Sequence, residues 1–224
     1  MATWPCPAID GPAHNELAIA WDRGRTARLL VLPALFDEAN KTRQFTIDMM
    51  RRLDQRGIDC ILPDLPGCNE SLQPLKQQTL ASWRQAAEAA AAYFRATHVL
   101  TIRASALLAP KGLAGWSYAS VASSSTLRTM LRAAQLHARE AGRDTTIAQL
   151  QETGRTQGIE LAGYAIGPRL FSDLEQGSAE DTPQLTAIPQ NALGGPGLWL
   201  RAEPDSAPEQ AESLSQIIAN DLKI

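Results

Sequence analysis

The chain has 224 residues, of which 44% are apolar, enough for one folded unit with a sizeable core. A formal net charge of −3 gives no broad positive field, so nucleic acid is not expected as a partner. The three cysteines, Cys6, Cys60 and Cys68, are odd in number and contain no C-x-x-C pair, a pattern of reduced thiols rather than of disulfides or a zinc site.

Leu29-Leu30-Val31-Leu32 is apolar on both faces, as a strand buried on two sides must be. A helix is expected over Ala39 to Arg56, where Phe45, Met49 and Leu53 share a face and Gly57 supplies the stop. Ile58 to Leu62 reads as the next strand, ended by the turn chemistry of Pro63 and Pro66-Gly67. Thr79 to Arg95 is an alanine-rich helix carrying Trp83 and Tyr93. His98 to Ile102 is a third strand, followed by a short helix over Ala104 to Leu108 that Pro110 stops, and by a strand over Leu113 to Tyr118. This alternation is the sequence form of a parallel sheet with right-handed crossovers.

The second half is less regular. Thr126 to Ala141 is amphipathic, with Leu127, Met130, Leu131, Ala134 and Ala138 on one side. Ile159 to Ile166 reads as a strand or extended arm, Glu175 to Pro183 as a loop, Leu198 to Ala202 as the last strand, and Pro208 to Leu222 as a closing helix. The N-terminal residues lack a basic stretch followed by an apolar one, and Leu29 to Phe36 is far too short to cross a bilayer. The expectation is a cytoplasmic protein with no membrane span and no cofactor.

Ligands of a parallel sheet bind beyond the carboxyl ends of its strands, which directs attention to three turns. The first runs from Pro33 to Arg43 and the second from Asp64 to Ser71. In the third, Thr101-Ile102-Arg103-Ala104-Ser105, a strand passes into a helix with almost no connecting residues. In α/β-hydrolases such a corner is the nucleophile elbow, G-x-S-x-G, with small flanking residues that let the strained turn close. Arg103 stands at the nucleophile position. A guanidinium is a permanent cation without a usable lone pair and cannot attack a carbonyl.

On these residues the chain resembles the exosortase A system-associated hydrolases, the branch called hydrolase 2, within the α/β-hydrolase superfamily. The family's first loop, P-P-F-x-E-E-x-N-K-S-R, is matched at Glu38, Asn40, Lys41 and Arg43. Its D-L-x-G-C-G-D-S turn is matched at Asp64, Leu65, Gly67, Cys68 and Ser71. Its G-L-R-x-G-A-L-L-A elbow is matched at Arg103, Ala106, Leu107, Leu108 and Ala109, and a later segment resembles Ala162 to Pro168. Ala34, Leu35, Asn69, Glu70 and Ser105 depart from the pattern. The resemblance implies an α/β-hydrolase-like fold over residues 1–224: a mostly parallel central sheet flanked by helices, with a small helical cap over about 119–183. It also implies a link to bacterial exopolysaccharide production and PEP-CTERM protein sorting.

A serine nucleophile needs a base within hydrogen-bond reach, and that base needs an orienting carboxylate. In this fold the histidine follows the last strand, and Ala202-Glu203-Pro204-Asp205 contains none. Of the three histidines, His14 is expected ahead of the sheet. His98 lies at the far end of its strand, roughly 13 Å from Arg103, and His137 is on the cap helix. Ser105, Cys68 and His137 are therefore weak catalytic candidates, and no catalytic residue is assigned. Arg103 is expected to face a crevice with Glu38, Asn40, Lys41 and Asp64, either as a structural ion pair or as a clamp for an anion. The sequence favours a catalytically silent hydrolase relative. Its partner would be a small anionic or acyl-bearing molecule, or a protein of the exopolysaccharide and sorting pathway. The alternative is a serine or cysteine esterase or acyltransferase with a non-standard site.

Overall fold

The two-sided apolar run at Leu29–Leu32 is buried on both faces because it lies mid-sheet, with helices packed above and below. The computed structural model describes residues 1–177 and 185–224. In chain order its elements are β1 (Ala2–Cys6), β2 (His14–Trp21), β3 (Arg28–Leu32), α1 (Asp37–Gln55), β4 (Asp59–Pro63), α2 (Leu80–Tyr93), β5 (His98–Ile102), β6 (Ala114–Tyr118), α3 (Ser123–Glu140), α4 (Ile147–Thr156), β7 (Ile159–Leu161), β8 (Tyr164–Ile166), α5 (Pro168–Gln176), β9 (Thr186–Ile188) and α6 (Pro208–Asp221). Single 3-10 segments lie at Leu75–Gln77, Arg103–Leu108, Gln190–Ala192 and Leu198–Leu200.

The main sheet runs β1-β2-β4-β3-β5-β6-β9. The first two strands form an antiparallel edge, and from β4 onward every neighbour is parallel. One face packs on α1 and α6 through Phe45, Met49, Leu53, Leu214 and Ile218. The other packs on α2, and its core continues into the segment between β6 and β9 through Leu127, Met130, Leu131, Leu170, Phe171 and Leu174. Among the described residues no helix is long and apolar enough to cross a membrane.

Four sequence readings need correction. The sheet begins before residue 29, and His14 opens β2 rather than preceding the sheet. The buried face of β2 carries Glu16 and Ala18, so the alternation there is not one of apolar and polar residues. Ile159 to Ile166 is a hairpin, because Ala162 (φ 50) and Gly163 (φ 82) take the two left-handed positions of a tight turn. Leu198 to Ala202 is not a strand: Leu198 to Leu200 form a 3-10 turn with Leu200 exposed, and β9 is the strand beside β6. Finally, the helix at Ile147–Thr156 was not anticipated, although Thr146 and Gln149 form a capping box at its start. Of the expected Glu175–Pro183 loop, Glu175 and Gln176 end α5, and residues 178–183 lie outside the described residues.

At the amino ends of the parallel strands, fully buried Asp59 gathers three arginines. It accepts from the backbone N–H of Arg23 (3.0 Å) and Arg25 (2.9 Å) and from the Arg28 guanidinium (3.2 Å). Asp54 takes both forks of Arg23 and one of Arg25. Replacing Asp59 by alanine leaves the N–H groups of Arg23 and Arg25 without their acceptor and takes from Arg28 one of its two carboxylates, a loss of about 3 kcal/mol, read as a fall in melting temperature. Hydrogen bonds from Arg23 hold the Asp54 carboxyl below its ordinary range, and those from Arg28 do the same for Asp22. Their stabilisation is complete above the ordinary carboxylate range and is lost as pH falls through the lowered values. An acid titration of melting temperature should show that loss shrinking in Asp54→Asn.

Candidate functional site

Strand β5 ends at Ile102 and the chain turns at once into a 3-10 segment, with Arg103 at φ 60. For a residue with a Cβ this left-handed conformation costs on the order of 1 kcal/mol or more. Its neighbours do the same: Phe36, after β3, has φ 56 and Ala119, after β6, has φ 46. These three strands are adjacent in the sheet, so the strained residues stand side by side at its carboxyl edge.

Ser105 holds the corner closed. Its Oγ accepts from Ile102 N (3.0 Å) and faces the carbonyls of Leu32 and Ile102, each at 2.9 Å. The residue is 0% exposed. Its one proton and its lone pairs are thus engaged with backbone, joining the elbow to β3.

Arg103 reaches back over the edge. Its Nε donates to Glu38 Oε2 (3.0 Å), its Nη2 to Glu38 Oε1 (3.1 Å) and its Nη1 to the carbonyl of Ala119 (3.0 Å). The Trp199 ring covers one face of the guanidinium, its centroid 3.9 Å from Cζ. Both charged side chains are 13% exposed. Glu38 sits in the first turn of α1, where the helix dipole favours a carboxylate. Tyr118 packs edge-on to Trp199, and its hydroxyl donates to Gln190.

The other residues expected in the crevice are engaged elsewhere. Asn40 donates to the Tyr164 hydroxyl (3.1 Å), and Lys41 pairs with Asp37 (2.8 Å). Asp64 accepts from Asn69 (2.8 Å), and burial raises its carboxyl pKa against that hydrogen bond and the pull of Arg43. Burial, with Asp64 and Glu16 nearby, pushes the Cys68 thiol up to about 12. His137 is exposed on α3, and His98 stacks on Trp116. Among the described residues no histidine hydrogen-bonds to Ser105, Cys68 or Arg103.

His14 does belong to a chain of polar groups. Its Nε2 lies 2.9 Å from Oε1 of buried Glu16, and that same oxygen accepts from Ser71 Oγ at 2.6 Å. The carboxylate is in the middle, whereas a catalytic triad needs imidazole against the hydroxyl. Ser71 also accepts the N–H of Gly67 and Gln73, so it ties a turn together.

Sequence reasoning missed Trp199, Ala119, Tyr118 and Tyr164. Trp199 was hidden inside a run that looks like a strand, and a backbone carbonyl such as that of Ala119 leaves no mark in a sequence. Among the described residues no group of acidic, histidine and cysteine side chains is arranged to hold a metal ion.

No family model and no curated protein matches the chain. Solved structures do. Alpha/beta hydrolase domain-containing protein 10 from mouse superposes with a TM-score of 0.56 at 12% identity, covering 100% of this chain and 99% of the other. The fold is that of the α/β-hydrolases. Est1E from Butyrivibrio proteoclasticus with ferulic acid bound gives 0.56 at 11% identity, covering 93% and 94% of the two chains. A thermophilic esterase from Thermogutta terrifontis with malate bound gives 0.51 at 12%, covering 99% and 97%. Strand β5 runs straight into the 3-10 turn at Arg103, the strand-to-helix form that the α/β-hydrolase plan gives its elbow.

Two measurements test these assignments. With burial holding all three thiols in their protonated form, native protein at neutral pH should resist iodoacetamide, and mass spectrometry should find full alkylation only after denaturation. Because the Asp64 carboxyl is raised, its ionisation opposes folding above that value and ceases to do so below the ordinary carboxylate range. Asp64→Asn should raise the melting temperature near neutral pH, with the gain fading in acid.

Proposed function

We propose that the chain is an α/β-hydrolase-fold protein without acyl-transfer activity, in which Arg103 and Glu38 close the former nucleophile corner. The single observation that supports this is the engagement of the guanidinium: all three of its nitrogens donate within the protein, and one face is under Trp199. The hydroxyl of Ser105 is consumed by backbone and the thiol of Cys68 stays protonated. Neither can be deprotonated by any histidine in contact. The role proposed is binding, toward a small anionic or acyl-bearing molecule or a protein partner, by a single domain in which the segment about 119–183 forms the cap. A place in exopolysaccharide production and PEP-CTERM sorting, inside the cytoplasm, is proposed on the motif resemblance at Glu38, Asn40, Lys41, Asp64, Cys68 and Arg103.

A second reading is an active hydrolase with a non-standard site. It is favoured by the solved neighbours, whose names include a proline iminopeptidase and a thermophilic esterase. In this reading the strained elbow is kept because it still serves chemistry, and Arg103 swings away from Glu38 when substrate binds.

Short aryl esters and a fluorophosphonate probe separate the two. The first reading expects no turnover above a heat-treated control and no labelled residue. Turnover lost in Ser105→Ala or Cys68→Ser, with the fold intact, establishes the second. Arg103→Leu should lower stability by about 3 kcal/mol, because it strands the mostly buried Glu38. Adding Glu38→Gln to that variant should recover much of the loss. A melting temperature unchanged by Arg103→Leu would remove the structural role from this ion pair.

A further inference from the structure

The last turns of α3 and the residues just beyond it line a cleft of about 410 Å³. Its charged walls are Arg132, Arg139 and Arg143, with Asp144 the one carboxylate, so the cleft carries a net +2 on a chain whose total is −3. Arg132, Leu136 and Arg139 lie on the side of α3 opposite buried Leu127, Met130, Leu131 and Ala138, and Arg143 follows just after the turn at Ala141 and Gly142 (φ 71) that ends the helix. Among the described residues none of the three guanidinium groups makes a hydrogen bond or ion pair. This distinguishes them from Arg23, Arg25, Arg28 and Arg103, each of which is held by a carboxylate.

Cations near a helix carboxyl end complement its dipole, and that accounts for Arg139 and Arg143. It does not account for Arg132, which lies two turns earlier and faces the same cleft. Thr145 also lines the cleft, just ahead of Thr146, which caps α4. Guanidinium forks bind phosphate oxygens bidentately.

We propose that this cleft is a binding site for a phosphate-bearing anion of at least two phosphoryl charges, with Arg132, Arg139 and Arg143 as its ligands. A single phosphate engages one fork, whereas a cleft of this size admits a diphosphate spanning two or three. The chemistry is common to a soluble diphosphate and to an anionic lipid headgroup. The site is separate from the elbow and does not depend on the reading given to Arg103.

Isothermal titration calorimetry with inorganic pyrophosphate at low salt tests it on the full chain. One saturable site is expected, weakened by added salt, with orthophosphate binding more weakly. Arg132→Ala, Arg139→Ala and Arg143→Ala should each reduce affinity by about tenfold, and the triple variant should abolish it, while exposed Arg51→Ala leaves it unchanged. All four positions are exposed, so circular dichroism should show the fold retained. Co-sedimentation with phosphatidate-containing vesicles, lost in the triple variant, identifies a lipid headgroup as the source. Pyrophosphate binding without sedimentation identifies a soluble diphosphate. No binding, binding that survives the triple variant, or preference for a poly-glutamate peptide overturns the proposal.

Discussion

The bidentate pair between Arg103 and Glu38 joins the corner after β5 to the first turn of α1 after β3. Three left-handed residues surround it, at Phe36, Arg103 and Ala119, and the third of these supplies the carbonyl that takes the last guanidinium nitrogen. Strained backbone persists only where its surroundings over-determine it. Here the ion pair, the Ala119 carbonyl and the Ser105 bridge to Leu32 are those surroundings. The side chain at the strained position therefore helps to hold the corner that displays it.

On the proposed reading, this bears on how a nucleophile position can be refilled. A serine at the elbow would present one hydroxyl to the crevice and contribute little to closing it. An arginine there brings a charge that must be neutralised on the spot, since little of it reaches solvent. The acidic first turn of α1 supplies the counter-charge where the helix dipole already favours it. Trp199 then covers the guanidinium face, so the 3-10 segment after β9 is drawn onto the edge. A strand in that stretch would have carried the chain onward along the sheet.

How much of this was legible in the sequence follows from what each signal consists of. The parallel core was, because Leu29–Leu32 and His98–Ile102 sit mid-sheet and must be apolar on both faces. So was the sharp corner after β5, since a strand running straight into a helical turn leaves small residues in fixed places, and Arg103 is conspicuous among them. The antiparallel edge was not: β2 buries Glu16, whose carboxylate is satisfied by Ser71, far along the chain, and by His14 in the same strand. Strand β9 is three residues long, too short for any period to show. The partners of Arg103 were half legible. Glu38 was read from its loop, whereas Lys41 and Asp64 found nearer partners in Asp37 and Asn69. Charge in a sequence says that a partner must exist, and only the fold says which.

The two arginine sites differ in what their donors have left to do. At Arg103 every nitrogen is committed, so an incoming anion must first displace Glu38 and bear the cost of leaving that carboxylate mostly buried and unpaired. At Arg132, Arg139 and Arg143 no hydrogen bond or ion pair among the described residues has to be broken first. The free energy of a guanidinium–phosphate contact is therefore available for binding at α3 and mostly spent on folding at the elbow. An anion offered to both should populate the α3 cleft first.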